Sequence, residues 1–287
     1  MRVQNIYVDY SATTPVDPLV AQVVLPFLNT QFGNPSSNNH IFGWEAKEAI
    51  DLAREQVADL VSVYPQEIYF TSGATEAINL ALFGCFESYK TKGNHIITAC
   101  TEHKVVLDCC QELERRGASI TYLAVNQYGE VDLKELRKSI TKETILISLM
   151  HANNEIGSIH PIQEIAQIAK KAEVLFMTDC TQSVGKIPVK LNLVDIGVFS
   201  SHKMYGPKGA GALYVKKGVK LAPQLFGGGQ EKTLRPGTQN VPAIVGFGKA
   251  AELVEQKLAE ESAQALSFRN KLDFGWNVGT LSIKIVK

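Results

Sequence analysis

A chain of 287 residues with 45% hydrophobic and 20% charged residues can bury a sizeable core, as one large domain or two smaller ones, and is not a disordered chain. Lys+Arg and Asp+Glu both number 29, so the formal net charge is zero and no basic excess points to nucleic acid or an anionic membrane surface. The cysteines (Cys85, Cys100, Cys109, Cys110 and Cys180) show neither C-x-x-C spacing nor disulfide-scaffold density, the start has no signal-peptide character, and no apolar run spans a membrane, so a cytoplasmic location is expected.

From about residue 66 short apolar runs alternate with helical patterns, which predicts α/β architecture. Ile68–Thr71 reads as a strand and Ala74–Tyr89 as a helix. His95–Cys100 is a strand, Val105–Arg116 a helix and Ser119–Leu123 a strand. Leu133–Ile140 is a helix before the strand Thr144–Met150. Pro161 is expected to open a helix through Lys171. Strands follow at Val174–Asp179 and Val194–Ser200. Ala212–Val215 comes too soon after its predecessor for a crossover helix, so it is expected to run antiparallel. A long helical pattern runs from Ile244 to about Asp273, and the last stretch, from Gly275, has room for at most one strand.

The polar residues that follow these strands carry the chemistry. In Phe70-Thr-Ser-Gly-Ala-Thr-Glu76 the chain passes from strand to helix. Gly73 allows a tight turn, and the first helical amides at Ala74 and Thr75 form an anion site, or simply an ordinary cap. His103 follows the strand 95–100, where an imidazole could stack on a flat ring and shuttle protons, or be structural. Asn153-Asn154-Glu155 is a polar loop at the same edge. Asp179 ends an apolar strand; a buried carboxylate there needs a cationic partner such as a pyridinium nitrogen, with helix capping as the plainer reading. Gln182 could donate to a cofactor oxygen. Gly227-Gly-Gly-Gln230 and Arg235-Pro-Gly-Thr238 suit an anion or form a surface loop. Ser200, His202 and Lys203 end another apolar strand, where a lysine is a candidate for imine chemistry. Together, a phosphate cradle, an acid, a ring and a lysine at one sheet edge describe a pyridoxal 5'-phosphate site, with no metal required.

Several longer motifs occur in order: Val8-Asp-Tyr-Ser-Ala-Thr-Thr-Pro15, Phe32-Gly-Asn-Pro-Ser-Ser37, Phe70–Glu76, Thr101-Glu-His103, His151-Ala-Asn-Asn-Glu-Ile-Gly157, Asp179-Cys-Thr-Gln-Ser-Val-Gly185, Ser200-Ser-His-Lys203 with Tyr205–Gly209, and Arg235–Thr238. On these the chain resembles the cysteine desulfurases of the NifS/IscS type, in the class V aminotransferase group of fold type I pyridoxal phosphate enzymes. The resemblance implies a mostly parallel central sheet flanked by helices, with an incomplete small domain. It implies that Lys203 holds the cofactor as an imine and moves protons, and that His103 stacks on the ring and assists. Asp179 would pair with the pyridinium nitrogen and Gln182 with the phenolic oxygen. Ala74, Thr75, Ser200 and His202 would take the phosphate, Asn154 would contact cofactor and substrate carboxylate, and Thr238 would reach the phosphate in the partner subunit of a homodimer. The family reaction converts L-cysteine to L-alanine and passes sulfur, as an enzyme persulfide, towards an iron–sulfur scaffold or tRNA thiolation.

The sequence departs from that pattern in several places. None of the five cysteines matches the family's nucleophile motif, and the segment that carries the nucleophile and the substrate-binding arginine in the family lies beyond Lys287. Ser201 replaces a usual Gly, and Cys180 a usual Ala, for which packing is the expected role. The expected division is a large cofactor domain over 14–255, with 1–13 and 256–287 in a partial small domain. Apolar surface around 1–13 and 244–270 is then expected to be exposed. The alternatives to desulfurase activity are an inactive relative that at most binds the cofactor or a partner, and another class V reaction such as selenocysteine lyase or aminotransferase chemistry.

Overall fold

The computed structural model describes residues 7–277. Seven strands form one sheet in the order β1-β7-β6-β5-β4-β2-β3. They are β1 (Ile68–Thr71), β2 (His95–Ala99), β3 (Ser119–Leu123), β4 (Thr144–Ser148), β5 (Leu175–Asp179), β6 (Ile196–Ser200) and β7 (Gly211–Val215). Strands β3, β2, β4, β5 and β6 are parallel, and β7 is antiparallel to both β6 and β1. The reversed β7 agrees with the ten-residue gap after Ser200, too short for a crossover helix.

The interior strands are apolar on both faces, as a sheet covered on both sides requires. Neighbours such as Ile96 and Ile97, Met177 and Phe176, and Val198 and Phe199 divide between two separate cores. One core lies beneath α3 (Ala74–Tyr89) and α4 (Lys104–Arg115). The other lies beneath α2 (Ile41–Leu60), α6 (Ile162–Lys171) and α7 (Val241–Asn277), with α5 (Leu133–Ser139) contributing Leu136 and α1 (Pro18–Asn29) contributing Val20.

Helices α1 and α2 fall in the stretch before residue 66 that carried no predicted element. Both have local causes. Asp17 caps α1, its Oδ1 accepting from Leu19 N–H at 2.7 Å, and Pro18 occupies the first turn, where its missing N–H costs nothing. Helix α2 buries Ala46, Ile50, Ala53 and Val57 as one stripe at helical spacing. Pro161 caps α6 from just outside, so the helix opens at Ile162. Gly275–Asn277 belong to α7, and the remainder of the strand allowed for the last residues lies outside the described residues.

Helix α7 has two parts. Val241, Ile244, Phe247, Ala250, Ala251 and Val254 are buried, and a Cβ on Gly248 would come within 2.5 Å of Ala53 Cα, so only glycine lets α7 approach α2 this closely. From Glu255 to Lys271 no residue is buried. The expected exposure of 244–270 is therefore corrected for 244–254, which packs on α1 and α2, and found at Leu266 and Phe268. Tyr7, Val8 and Tyr10 are exposed too.

The edge strand β1 is tied to the loop 226–240 by a buried ion pair. Arg54 donates to Glu231 from both terminal nitrogens at 2.8 and 2.9 Å, and Glu231 Oε2 also accepts from Phe70 N–H at 3.0 Å. Glu231, Lys232 and Thr233 all have positive φ, a left-handed turn that costs about 1–2 kcal/mol per residue without compensation. The ion pair holds that turn. Glu231→Gln leaves Arg54 with its counter-charge removed, and a loss of about 3–5 kcal/mol in urea unfolding is expected. A loss under about 1 kcal/mol, the scale of an exposed pair, would contradict this role.

Candidate active site

Six of the seven strands point the same way, so the loops that follow them meet at one edge. There they enclose a cavity of about 440 Å³, within the roughly 300–1,000 Å³ usual for small-molecule sites. Ala74, Thr75, His103, Asn154, Asp179, Gln182, Ser200, His202 and Lys203 all line it. Thr238 does not; it is exposed on the loop after the left-handed turn.

The cradle is built at the start of α3. Gly73 has φ 155°, and the first intrahelical bond runs from Ala77 N–H to Gly73 O at 3.1 Å, so the amides of Ala74, Thr75 and Glu76 precede the helical ladder. A Cβ on Gly211 would lie 2.6 Å from Gly73 Cα; glycine at that position lets β7 pass beneath the turn. The oxygens of Glu76 accept from Ser72 N–H at 2.7 Å and from Arg235 Nε at 2.6 Å. Arg235, considered from sequence as an anion ligand, is thus committed to Glu76 and braces the cradle from behind.

Asp179 is buried at the end of β5. Its Oδ1 accepts from Thr181 N–H at 2.8 Å, and its backbone oxygen accepts from His151 N–H at 2.9 Å. Burial raises its pKa, against the opposing pull of the Thr181 hydrogen bonds, His103 and Lys203. A cation over this carboxylate would relieve that penalty. His103 caps α4, its Nδ1 accepting from Val105 N–H at 3.2 Å, which places the neutral ring's proton on Nε2. Beside it, Glu102 is buried and accepts from Met150 N–H at 2.7 Å, joining the ends of β2 and β4; burial raises its pKa well above the usual carboxylate range.

Lys203 Nζ donates to the backbone oxygens of Ser11 and Ala12 at 2.6 and 2.7 Å. Burial lowers its pKa, while Asp9 and Asp179 oppose the shift. Gln182 Nε2 donates to the same Ser11 oxygen at 3.0 Å. Two donors therefore converge on one oxygen beside the lysine amine. His202 Nδ1 lies 3.0 Å from Thr13 Oγ1, and Thr14 N–H donates to the His202 oxygen at 3.0 Å, so the segment 11–14 is strapped over the turn that bears the lysine.

The cysteines are placed elsewhere. None of the five lines the cavity. Burial is the main cause that pushes Cys85, Cys110 and Cys180 up to about 12 and Cys109 up to about 11. Cys180 is a packing residue beneath the site. Ser201 is buried, and its Oγ stands where a Cβ on Gly206 would be, 2.0 Å away.

The family profile for aminotransferase class-V matches residues 6–271. The chain belongs to the class V aminotransferases. It is 50% identical over 278 residues to "Cysteine desulfurase IscS" of Escherichia coli O139:H28 (strain E24377A / ETEC), across 95% of this chain and 68% of that protein. A solved NifS-like protein superposes with a TM-score of 0.93 at 43% identity, covering 96% of this chain and 77% of the other. A structure described as SspA in complex with cysteine gives 0.84 at 40% identity, covering 86% and 72%. Within the class V family these similarities place the chain with the cysteine desulfurases, and its sheet has the fold type I arrangement.

Glu76, Thr181 and Lys208 also line the cavity, beyond the residues that the sequence singles out. Glu76 was legible as an acid in the first turn of a helix; Lys208 was masked by its place in a Gly/Pro-rich turn. The role of the Ser11 carbonyl carries no side-chain signal at all.

The support under Asp179 has a pH signature. Burial, with His160 nearby, pushes His151 down to about 4 from 6.5, its Nδ1 lying 2.9 Å from Ser183 Oγ. Between those values the unfolded chain takes up a proton that the folded chain refuses. The stabilisation is complete above about pH 6.5 and is lost as pH falls towards 4, by roughly 3 kcal/mol. His151→Gln should flatten that part of the wild-type stability profile in denaturant unfolding from pH 7 to 4; an unchanged slope would show that His151 does not titrate this way.

Proposed function

We propose that the chain acts as a pyridoxal phosphate-dependent cysteine desulfurase, with the cofactor on Lys203 and L-cysteine as substrate. The observation that carries this reading is the convergence of Lys203 Nζ and Gln182 Nε2 on a single oxygen, beside the buried carboxylate of Asp179 and the open amides of α3. The residues fit the group. The amides of Ala74–Glu76, the hydroxyls of Thr75 and Ser200, and His202 would hold a phosphate. Asp179 would hold a protonated ring nitrogen, and Gln182 a ring oxygen.

Bound there, pyridoxal phosphate supplies an electron sink for negative charge developing at the substrate's α-carbon. The chain's own residues do the rest. Lys203, with its pKa lowered by burial, is suited to hold and return a proton at that carbon. His103, held at Nδ1 by the α4 backbone, offers Nε2 for proton transfer. Asn154 is assigned to the substrate carboxylate. The sulfur released as L-alanine forms must pass to a thiol, and the cavity walls of this chain contain none. That thiol is assigned to a group brought to the cavity from outside it, with an iron–sulfur scaffold or tRNA thiolation downstream.

The exposure of Thr238 favours its use against a neighbouring copy in a homodimer. The change in α7 at Glu255 favours a cofactor domain over 14–255, with 1–13 and 256–287 in a smaller unit. Among the described residues no helix is long and apolar enough to cross a membrane and no cluster of metal ligands is present; a cytoplasmic enzyme is proposed.

The chain, mixed with pyridoxal phosphate, should develop a visible absorption band that Lys203→Ala abolishes. Folded wild-type protein that takes up no cofactor would overturn the reading. After L-cysteine is added, mass spectrometry of the 287-residue polypeptide should find no persulfide on Cys85, Cys109, Cys110 or Cys180; sulfur on any of them would disprove their assignment to packing.

A further inference from the structure

We infer that Lys186 is a positioning residue for the cofactor: it fixes the side-chain amide of Gln182 so that the N–H groups, and not the oxygen, face the ring oxygen of pyridoxal phosphate. This rests on the proposal that the cofactor is held at Lys203.

An amide can be turned end for end at little steric cost, so a Gln beside a ligand oxygen needs something to choose its direction. Here the choice is made from behind. Lys186 Nζ donates to Gln182 Oε1 at 2.5 Å, and Gln182 Nε2 donates forward to the Ser11 oxygen at 3.0 Å. An ammonium has donors only, so the reversed amide would set N–H against N–H and leave the lysine unpaired in a half-buried place. The backbone of Lys186 is itself anchored, its carbonyl accepting from Ser262 Oγ on α7 at 2.9 Å. Gly185, with φ 82°, sets the turn that carries the lysine back beneath Gln182.

The charge matters as well as the hydrogen bond. Burial, and then the repulsion of Lys203, hold the Lys186 amine down to about 8, still mainly cationic at neutral pH. Lys186 and Lys203 repel each other, and His202 is also pushed down by burial, Lys203, Lys208 and Lys186. A negatively charged ring oxygen placed between Lys203 and the polarised Gln182 amide would relieve that repulsion. Lys186 does not line the cavity, so it acts through Gln182.

The test measures cofactor affinity by absorbance titration, and the position of the visible band, in Lys186→Met, Gln182→Ala and the double variant, with folding checked by circular dichroism. Each single variant should weaken binding about tenfold, the scale of one charge-assisted hydrogen bond, and displace the band; the double variant should be no weaker than Gln182→Ala. Unchanged affinity and band in Lys186→Met, or losses that multiply in the double variant, would overturn the role. If Lys186→Met does not fold, Gln182→Glu decides. It keeps an acceptor for Lys186 but offers an oxygen to the ring, so it should bind at least as weakly as Gln182→Ala; wild-type affinity would overturn the inference. No band in the wild type, or a band that survives Lys203→Ala, would instead remove the proposal on which this one stands.

Discussion

The common direction of six strands is the constraint on which the rest of this molecule depends. Parallel strands release their following loops at one edge, and five of the six, all but β3, deliver a part of the site here. The loop after β1 brings the start of α3, the loop after β2 brings His103, the loop after β4 brings Asn154, and β5 and β6 end in Asp179 and Ser200. Strand β7 runs the other way and contributes chiefly by fitting beneath Gly73, which requires Gly211. The site is thus a property of the sheet's polarity before it is a property of any one residue.

Charge within the cavity is arranged in layers. Asp179 is the buried carboxylate, kept out of water at a strand end, and Lys203 is the half-buried amine whose charged form it favours. Lys186 stands behind Gln182, outside the cavity wall. The strap formed by residues 11–14 lies across this arrangement and supplies backbone oxygens where a polar ligand would place its own. Burial opposes the charged form of Asp179, Lys203 and Lys186 alike. A ligand with a positive ring nitrogen and a negative ring oxygen compensates both signs at once.

The loop 226–240 shows how much structure is spent on presenting a few exposed residues. Glu231 is buried against Arg54 and holds three consecutive left-handed residues. Four residues further on, Arg235 pairs with Glu76 at the cradle. Thr238 then emerges into solvent beyond both anchors. A flexible Gly-rich loop is what residues 227–229 suggest in isolation; two ion pairs convert it into a fixed platform. Composition could not show this, because the ion-pair partners of Glu231 and Arg235 lie more than 150 residues away in the chain.

The sequence by itself determined the strand and helix succession after residue 66, the reversal of β7 and the residues that gather at the sheet edge. Those are local properties: apolar periodicity, turn chemistry and the length of a connection, reinforced by motifs carried in order. It leaves α1 and α2 unassigned, although Ala46, Ile50, Ala53 and Val57 hold a helical stripe, and it leaves Arg235 between an anion and a surface loop. Only the tertiary structure decided that Arg235 faces Glu76, that residues 244–254 are buried, that Cys85, Cys109 and Cys110 are packing groups, and that Lys186 stands behind Gln182. These are long-range pairings or matters of burial. Neither is encoded within a window of sequence, because a side chain's partner and its distance from water are fixed only when the helices close over the sheet.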